Sequence, residues 1–154
     1  MSAAVEYSSN RASEAQIAEH LFRCDADFVP PLSGRVDIGG YAGKIAREAE
    51  RFEAWSGRIL IALVAIYCND HQKGVAYITS VSVLREWMAH GIGARLISSC
   101  IAAAAAAGMR EVRLEVGEGN TAARRLYEKS GFVAGKAGGR FVGMKLDLES
   151  RGRQ

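Results

Sequence analysis

Proline is almost absent from this chain: the adjacent Pro30 and Pro31 are the only two in 154 residues. Their fixed φ, and the restriction each places on the residue before it, make Asp25–Arg35 a loop on an extended path. Cysteine is scarce and odd in number. Cys24, Cys68 and Cys100 lie far apart in apolar surroundings, which argues against a disulfide framework or a metal site and predicts reduced core thiols. No apolar run is long enough to span a bilayer; Ile59–Tyr67 reaches about half of the ~20 residues required. Met1–Gln16 lacks the apolar segment of a signal peptide. A cytoplasmic protein without membrane association is therefore expected. An excess of one charge is also missing. The formal net charge is +3 and evenly spread, which argues against a nucleic-acid partner and is compatible with an anionic small ligand. Repeats, linkers and a composition break are absent, so 1–154 reads as one domain with one core.

What is present alternates between the two hydrophobic periods. Val5 and Tyr7 predict a short first strand. Ser13 and Gln16 have capping-box spacing ahead of Ile17, Leu21 and Phe22, and that helix fades near Cys24. Asp37 caps a second helix with Tyr41, Ile45 and Ala49 one turn apart, while Gly39 and Gly40 weaken its start. The two helices read equally as a lid or as a hairpin packed on a sheet. Phe52–Trp55, Ile59–Tyr67 and Val75–Leu84 form an antiparallel meander through turns at Ser56-Gly57 and Asn69–Gly74. Ile59–Tyr67 is apolar on both faces and therefore central. A long helix runs from Gly91 to about Ala107 and stops at Gly108, a natural C′ residue. Val112, Leu114 and Val116 mark the next strand. Asn120 caps a helix whose inward stripe is Ala123, Leu126, Tyr127 and Ser130, and Gly131 ends it. Phe132–Ala134 and Phe141–Leu148 close a hairpin across Gly135–Gly139, and Glu149–Gln154 is frayed. The helix from Gly91 joins Val75–Leu84 to Val112–Val116, which implies a parallel pair with a right-handed crossover. The fold class is α+β, an α/β sandwich: a mixed, mostly antiparallel sheet with a central parallel pair and helices on both faces.

Chemistry concentrates in Val81–Gly93. Val81 and Val83 alternate with Ser80 and Ser82 as a strand, and Gly91 and Gly93 then strip side chains from a helix start at Ile92–Ala94. Unpaired N–H groups and the positive end of the macrodipole suit a pyrophosphate there, although a tight turn that merely needs glycine has the same sequence.

Val83–Gly93, followed by Glu115-Val116, Asn120, Ala123, Leu126-Tyr127-Glu128-Lys129 and Gly131-Phe132, resembles the GNAT superfamily of N-acetyltransferases. The likeness extends in element order over nearly the whole chain and is strongest from Val75 to Phe132. It implies the acyl-CoA N-acyltransferase fold, with acetyl-CoA entering a cleft where the parallel strands splay and no metal taking part. Backbone groups of Val81, Ser82 and Val83 would hold the pantetheine arm. The turn Met88, Ala89, His90, Gly91, Ile92, Gly93 and Ala94 would hold the pyrophosphate, and Asn120, Ala123, Tyr127 and Lys129 would complete the cofactor site. The family usually has Gln or Arg where this chain has Met88, and His90 or Arg95 are the candidates to replace that contact.

The resemblance gives Tyr127 the role of general acid toward the CoA thiolate; packing on the buried helix face is its other reading. Glu115 matches the base of bacterial enzymes that acetylate a ribosomal protein's N-terminus, and burial between strands would raise its pKa. A strand-face glutamate paired with Arg113 or Lys129 fits equally. Asp27, Glu53 and Asp70 are poorer base candidates. The loop Phe28–Arg35 is similar to small acetyltransferases that accompany surface-polysaccharide genes. That likeness points to an amino-sugar or sugar-nucleotide acceptor walled by Phe28, Pro31, Arg35 and Tyr41, with Arg35 facing a phosphate or carboxylate; a plain surface charge is the other reading of Arg35, and core packing that of Tyr41. A protein or peptide N-terminus is the alternative acceptor, and a non-catalytic CoA-binding module, favoured by Met88, the alternative class. The family's last strands often build dimers, so a homodimer is expected.

Overall fold

Ser13 opens the first helix as its spacing requires. Gln16 N donates to Ser13 Oγ at 3.1 Å and Ser13 N to Gln16 Oε1 at 2.9 Å, starting α1 (Glu14–Cys24). Ile17, His20, Leu21 and Cys24 form its buried face. Asp37 starts α2 (Ile38–Glu48) by accepting from Gly40 N at 3.0 Å, so the glycine pair is held in regular helix. Between the two helices the chain makes two short 3-10 turns and contains a cis Val29–Pro30 bond. These coordinates are a computed structural model describing residues 4–151.

Seven strands make one sheet: β1 (Glu6–Ser9), β2 (Glu50–Ser56), β3 (Ile59–Asp70), β4 (Val75–Val83), β5 (Glu111–Gly117), β6 (Val133–Gly138) and β7 (Phe141–Asp147), in the order β1-β2-β3-β4-β5-β7-β6. All neighbours are antiparallel except β4 and β5, the predicted parallel pair. β3 is central and buried from Leu60 through Ile66. Leu60, Leu63 and Ala65 pack under α1 and α2, and Ile61, Val64 and Ile66 pack with α3 (Ile92–Ala106) on the opposite face. α3 ends before Gly108, whose φ of 82° is the left-handed conformation its place requires. Asn120 caps α4 (Thr121–Lys129) by accepting from Ala123 N at 3.2 Å.

Three expectations need correction. β3 runs through the polar Asn69 and Asp70, so the following turn is shorter than expected. The glycine-rich segment after Ala134 is strand, not turn. β6 continues to Gly138 with a register shift between Ala134 and Ala137, and the reversal falls at Gly139, φ 75°. Glycine backbone still pairs, and the irregularity absorbs the mismatch. Leu148–Arg151 form a helical turn, α5, where fraying was expected; Leu148 is buried and its N–H donates to Arg110 O at 2.8 Å. Residues 152–154 lie outside the described residues. The cysteines are free thiols, with Cys24 and Cys100 buried but Cys68 only half-buried.

Two buried polar groups tie the helices to the sheet. Glu53, 0% exposed, accepts from Arg11 N at 3.0 Å, from Ala12 N at 3.0 Å and from Trp55 Nε1 at 3.2 Å, and lies 3.5 Å from Arg51 Nε. Arg51 in turn donates to Ala12 O and Ala46 O, so one ion pair pins the entry to α1 and the end of α2 against β2. Trp55 belongs to this core. On β4, Ser82 Oγ lies 2.8 Å from His20 Nε2, and His20 Nδ1 lies 2.9 Å from Leu60 O. The carbonyl can only accept, so Nδ1 carries the proton and Nε2 accepts from Ser82.

Glu53→Ala leaves Arg51 uncompensated and strands several buried donors; urea denaturation should show a loss of about 3–5 kcal/mol. Glu19→Ala removes only the exposed pair with Arg23 and should change stability by less than about 0.5 kcal/mol. Burial lowers the His20 pKa from 6.5 to about 4. The folded state therefore binds fewer protons than the unfolded one, and this contribution is complete above pH 6.5 and lost as pH falls towards 4. Unfolding free energy should drop by about 3 kcal/mol across that window, and by correspondingly less in His20→Gln.

Candidate active site

β4 and β5 pair at only three positions, Val75 with Glu111, Ala76 with Val112 and Tyr77 with Arg113. Beyond Tyr77 the strands part, and a cavity of about 490 Å³ occupies the gap. Leu84 N donates to Ile61 O at 2.8 Å. By strand alternation Ser82 also turns its backbone groups to β3, so those of Val81 and Val83 face the gap.

The α3 end of the cavity is built from backbone. Ala89 and Gly91 are left-handed, with φ of 65° and 75°, and Gly91 caps α3 with no side-chain bond. The first backbone bond of the helix is Arg95 N to Gly91 O at 3.1 Å; among the described residues the N–H groups of Ile92, Gly93 and Ala94 have no acceptor. Met88, Ala89, Gly91, Ile92, Gly93 and Ala94 line the cavity here, joined by Asn120, Ala123 and Leu126 of the α4 region. Neither candidate replaces a polar side chain at Met88. His90 is outside the lining, with its ring 6.4 Å from that of Trp87, and the Arg95 guanidinium sits 3.8 Å over the Tyr7 ring.

Tyr127 reaches the cavity from α4. It is 7% exposed, its ring meets Phe132 edge-on with centroids 6.2 Å apart, and its hydroxyl has no hydrogen bond among the described residues. Burial pushes the phenol up to about 12, so it stays protonated throughout the neutral range.

The opposite wall lies on the sheet face that carries α1 and α2. Glu115 lines it and is exposed, which corrects the expectation of a buried carboxylate: the parting of the strands leaves this face of β5 open. Its partner is neither Arg113, which pairs with Glu111, nor Lys129, but Tyr77, whose hydroxyl donates to Oε1 at 3.1 Å. Burial, reinforced by the Glu115 charge, raises the Tyr77 pKa and keeps it the donor. Phe28, Val29 and Arg35 come from the α1–α2 connection, and Phe141 from β7. That connection rests on the end of β5. A Cβ at Gly117 would stand 2.0 Å from Val29 O, so only glycine allows this approach. Asp27 pairs with Arg85, linking the same connection to the turn before α3.

The cavity thus gathers Val81, Ser82, Val83, Met88, Ala89, Gly91, Ile92, Gly93, Ala94, Glu115, Asn120, Ala123, Tyr127, Phe28 and Arg35 from the sequence-predicted residues. It does not gather Pro31, Tyr41, His90 or Lys129. Tyr41 stands behind the wall, its hydroxyl donating to Thr79 O at 2.6 Å. Lys129 belongs to a groove between α3 and α4 with Ser98, Ala102 and Ala105. Asp27 lines the cavity, while Glu53 is the buried structural carboxylate described above. Sequence reasoning missed Val29, Thr79, Trp87, Gly117 and Phe141. Gly117, directly after the strand pattern Leu114–Val116, carried a signal: a glycine closing a strand marks a close approach.

Comparison with known proteins agrees with this architecture. The family model described as the acetyltransferase (GNAT) family matches residues 16–132. No curated protein sequence matches. Among solved structures, PH1933 from Pyrococcus horikoshii OT3 superposes with a TM-score of 0.74 at 20% identity, covering 94% of this chain and 98% of its own. The PaiA N-acetyltransferase of Thermoplasma acidophilum, in complex with coenzyme A, gives 0.73 at 16% identity over 94% and 99% of the two chains. YncA from Salmonella typhimurium, solved with its cofactor acetyl-CoA, gives 0.71 at 18% identity over 92% and 94%. With the family model spanning most of the sequence and the cleft in the parted strand pair, the chain belongs to the acetyltransferase (GNAT) family and is an N-acetyltransferase enzyme.

Proposed function

We propose that the protein moves the acetyl group of acetyl-CoA to the primary amine of a small acceptor, such as an amino sugar or sugar nucleotide, by direct attack within a ternary complex. The observation that carries this reading is one cavity joining three things: a bare helix N-terminus, a buried phenol and a carboxylate on the opposite sheet face. The N–H groups of Ile92–Ala94 suit the pyrophosphate, and the inward backbone of Val81 and Val83 suits the amides of the pantetheine arm. With Met88 at the wall and Arg95 held over Tyr7, the phosphate contact rests on backbone donors.

In this reading the amine lone pair attacks the thioester carbonyl carbon from the Glu115 side. The new C–N bond forms, the ammonium proton leaves to Glu115 or to water beside it, and the C–S bond breaks. Tyr127 donates its proton towards the departing sulfur, giving free CoA thiol and the N-acetyl product, and solvent restores the phenol. Because the phenol is raised to about 12, it enters each turnover protonated. The α1–α2 connection seated on Gly117 walls the acceptor side and favours a small molecule. Glu115 in the lining favours the second acceptor class, a protein or peptide N-terminus.

Ala94→Glu separates fold from binding. A carboxylate in the first turn of α3 complements the macrodipole and should leave the melting temperature equal or slightly higher. The same charge should weaken acetyl-CoA binding in isothermal titration by at least about tenfold; unchanged affinity would remove the pyrophosphate site. Tyr127→Phe keeps the ring and loses a hydroxyl without a protein partner, so stability should change by less than about 1 kcal/mol. Its kcat should fall by about 100-fold or more. The pH profile follows from the raised phenol: the acid is not lost below about pH 10, so kcat/KM should rise as the amine deprotonates and show no fall between pH 7 and pH 10.

A further inference from the structure

Among the described residues Arg35 is the one lysine or arginine that lines the cavity, and its contacts there are with rings. Its guanidinium sits 5.3 Å from the Phe141 ring and 5.8 Å from the Phe28 ring, and among the described residues it makes no ion pair and no hydrogen bond. Arg85, beside the same cavity, is by contrast neutralised by Asp27. A cation–π contact uses none of the guanidinium's N–H donors, and Arg35 is exposed, so the set that grips a carboxylate or phosphate at two points stays available. The two rings come from different elements, the α1–α2 connection and the start of β7, so the cation has a contact outside its own segment.

The placement relative to Glu115 defines a pattern. Phe141 is paired with Gly117 and Gly143 with Glu115. The ring under Arg35 therefore emerges from the same sheet face as Glu115, roughly 7 Å farther along the strands. Tyr77 and Tyr41 lie on this face too, and the Arg35 charge acts on both phenols. Among the described residues Glu115 and Arg35 form no ion pair with each other, and both line the cavity, so this wall presents a carboxylate and a cation without an ionic partner.

We propose that Arg35 is a specificity-determining anchor for an oxyanion on the acceptor, so that the enzyme selects amines that also carry a phosphate or carboxylate, with the amine at Glu115 and the anion at Arg35. This rests on the acetyl-transfer reading above and narrows its acceptor to amino sugars or similar amines bearing negative charge. Neutral amines and polyamines are disfavoured, because they leave the guanidinium unpaired or repelled.

The test uses the full chain saturated with CoA, titrated with glucosamine, glucosamine 6-phosphate and glucosaminic acid. The wild type should bind one of the charged sugars at least about tenfold more tightly than glucosamine. The phosphate and carboxylate arms identify which oxyanion fits. Arg35→Gln should reduce that preference to within about threefold and Arg35→Glu should reverse it. Equal affinities in the wild type, an unchanged preference in Arg35→Gln, or no binding of either charged sugar overturns the anchor. Release of CoA thiol from acetyl-CoA is followed with the same sugars and with spermidine. Transfer without charge preference overturns the anchor and leaves the acetyltransferase reading standing. Charge-selective binding without transfer keeps an oxyanion site at Arg35 but overturns its assignment to the acceptor, and with it the small-amine reading.

Discussion

Three paired positions hold β4 against β5, and the pairing then stops. The cavity described above depends on that interruption. A parallel pair carried to its full length would satisfy its own backbone and close the sheet. Parted, it exposes the backbone of Val81 and Val83 and opens a passage between the two faces of the sheet. The strands stay apart because each is secured on its other side: β4 pairs with β3 as far as Val83, and β5 with β7 over its whole length. The unpaired edges are thus held by rigid neighbours, so the gap has defined walls.

The two faces divide the work. Backbone dominates where α3 begins, since the groups suited to a phosphate are N–H donors in a left-handed turn and a first helical turn. Side chains dominate on the α1–α2 face, where Glu115, Tyr77, Arg35 and the rings of Phe28 and Phe141 meet. Tyr127 stands with the backbone-built side, kept in its phenol form by burial. Donors supplied by backbone do not depend on the side chain at Met88, which lines this end of the cavity with an apolar group.

Local rules made much of this visible in the sequence. The Ser13–Gln16 box, the Asp37 and Asn120 caps and the stop at Gly108 each depend on a few neighbouring residues, and each is where the sequence puts it. The parallel pair followed from the length of the crossover. The failures share another cause: they depend on what packs across space. Glycines 135 and 138 look like turn residues until β7 supplies a partner strand. Glu115 looks buried on a central strand unless one knows that the neighbouring strand departs. Phe141 joins the site through its register with Gly117, a relation no local pattern carries. Tyr41 and Lys129 sit on the correct elements but point to Thr79 and to the α3–α4 groove.

The contact between Gly117 and Val29 O has a further meaning. It is a meeting of main chain with main chain, so it asks nothing of the side chains in the connection between α1 and α2. Other side chains of the segment are committed, since Leu32 is buried in the core and Asp27 pairs with Arg85, so exchange that keeps the seat on β5 is confined to exposed positions such as Val29 and Arg35. Under the proposed function those positions belong to the wall on the acceptor side, whereas the channel formed by β4 and α3 is built largely from backbone. If that proposal holds, acceptor choice can shift through a few exposed positions of one loop while the end of the cavity at α3 stays as it is.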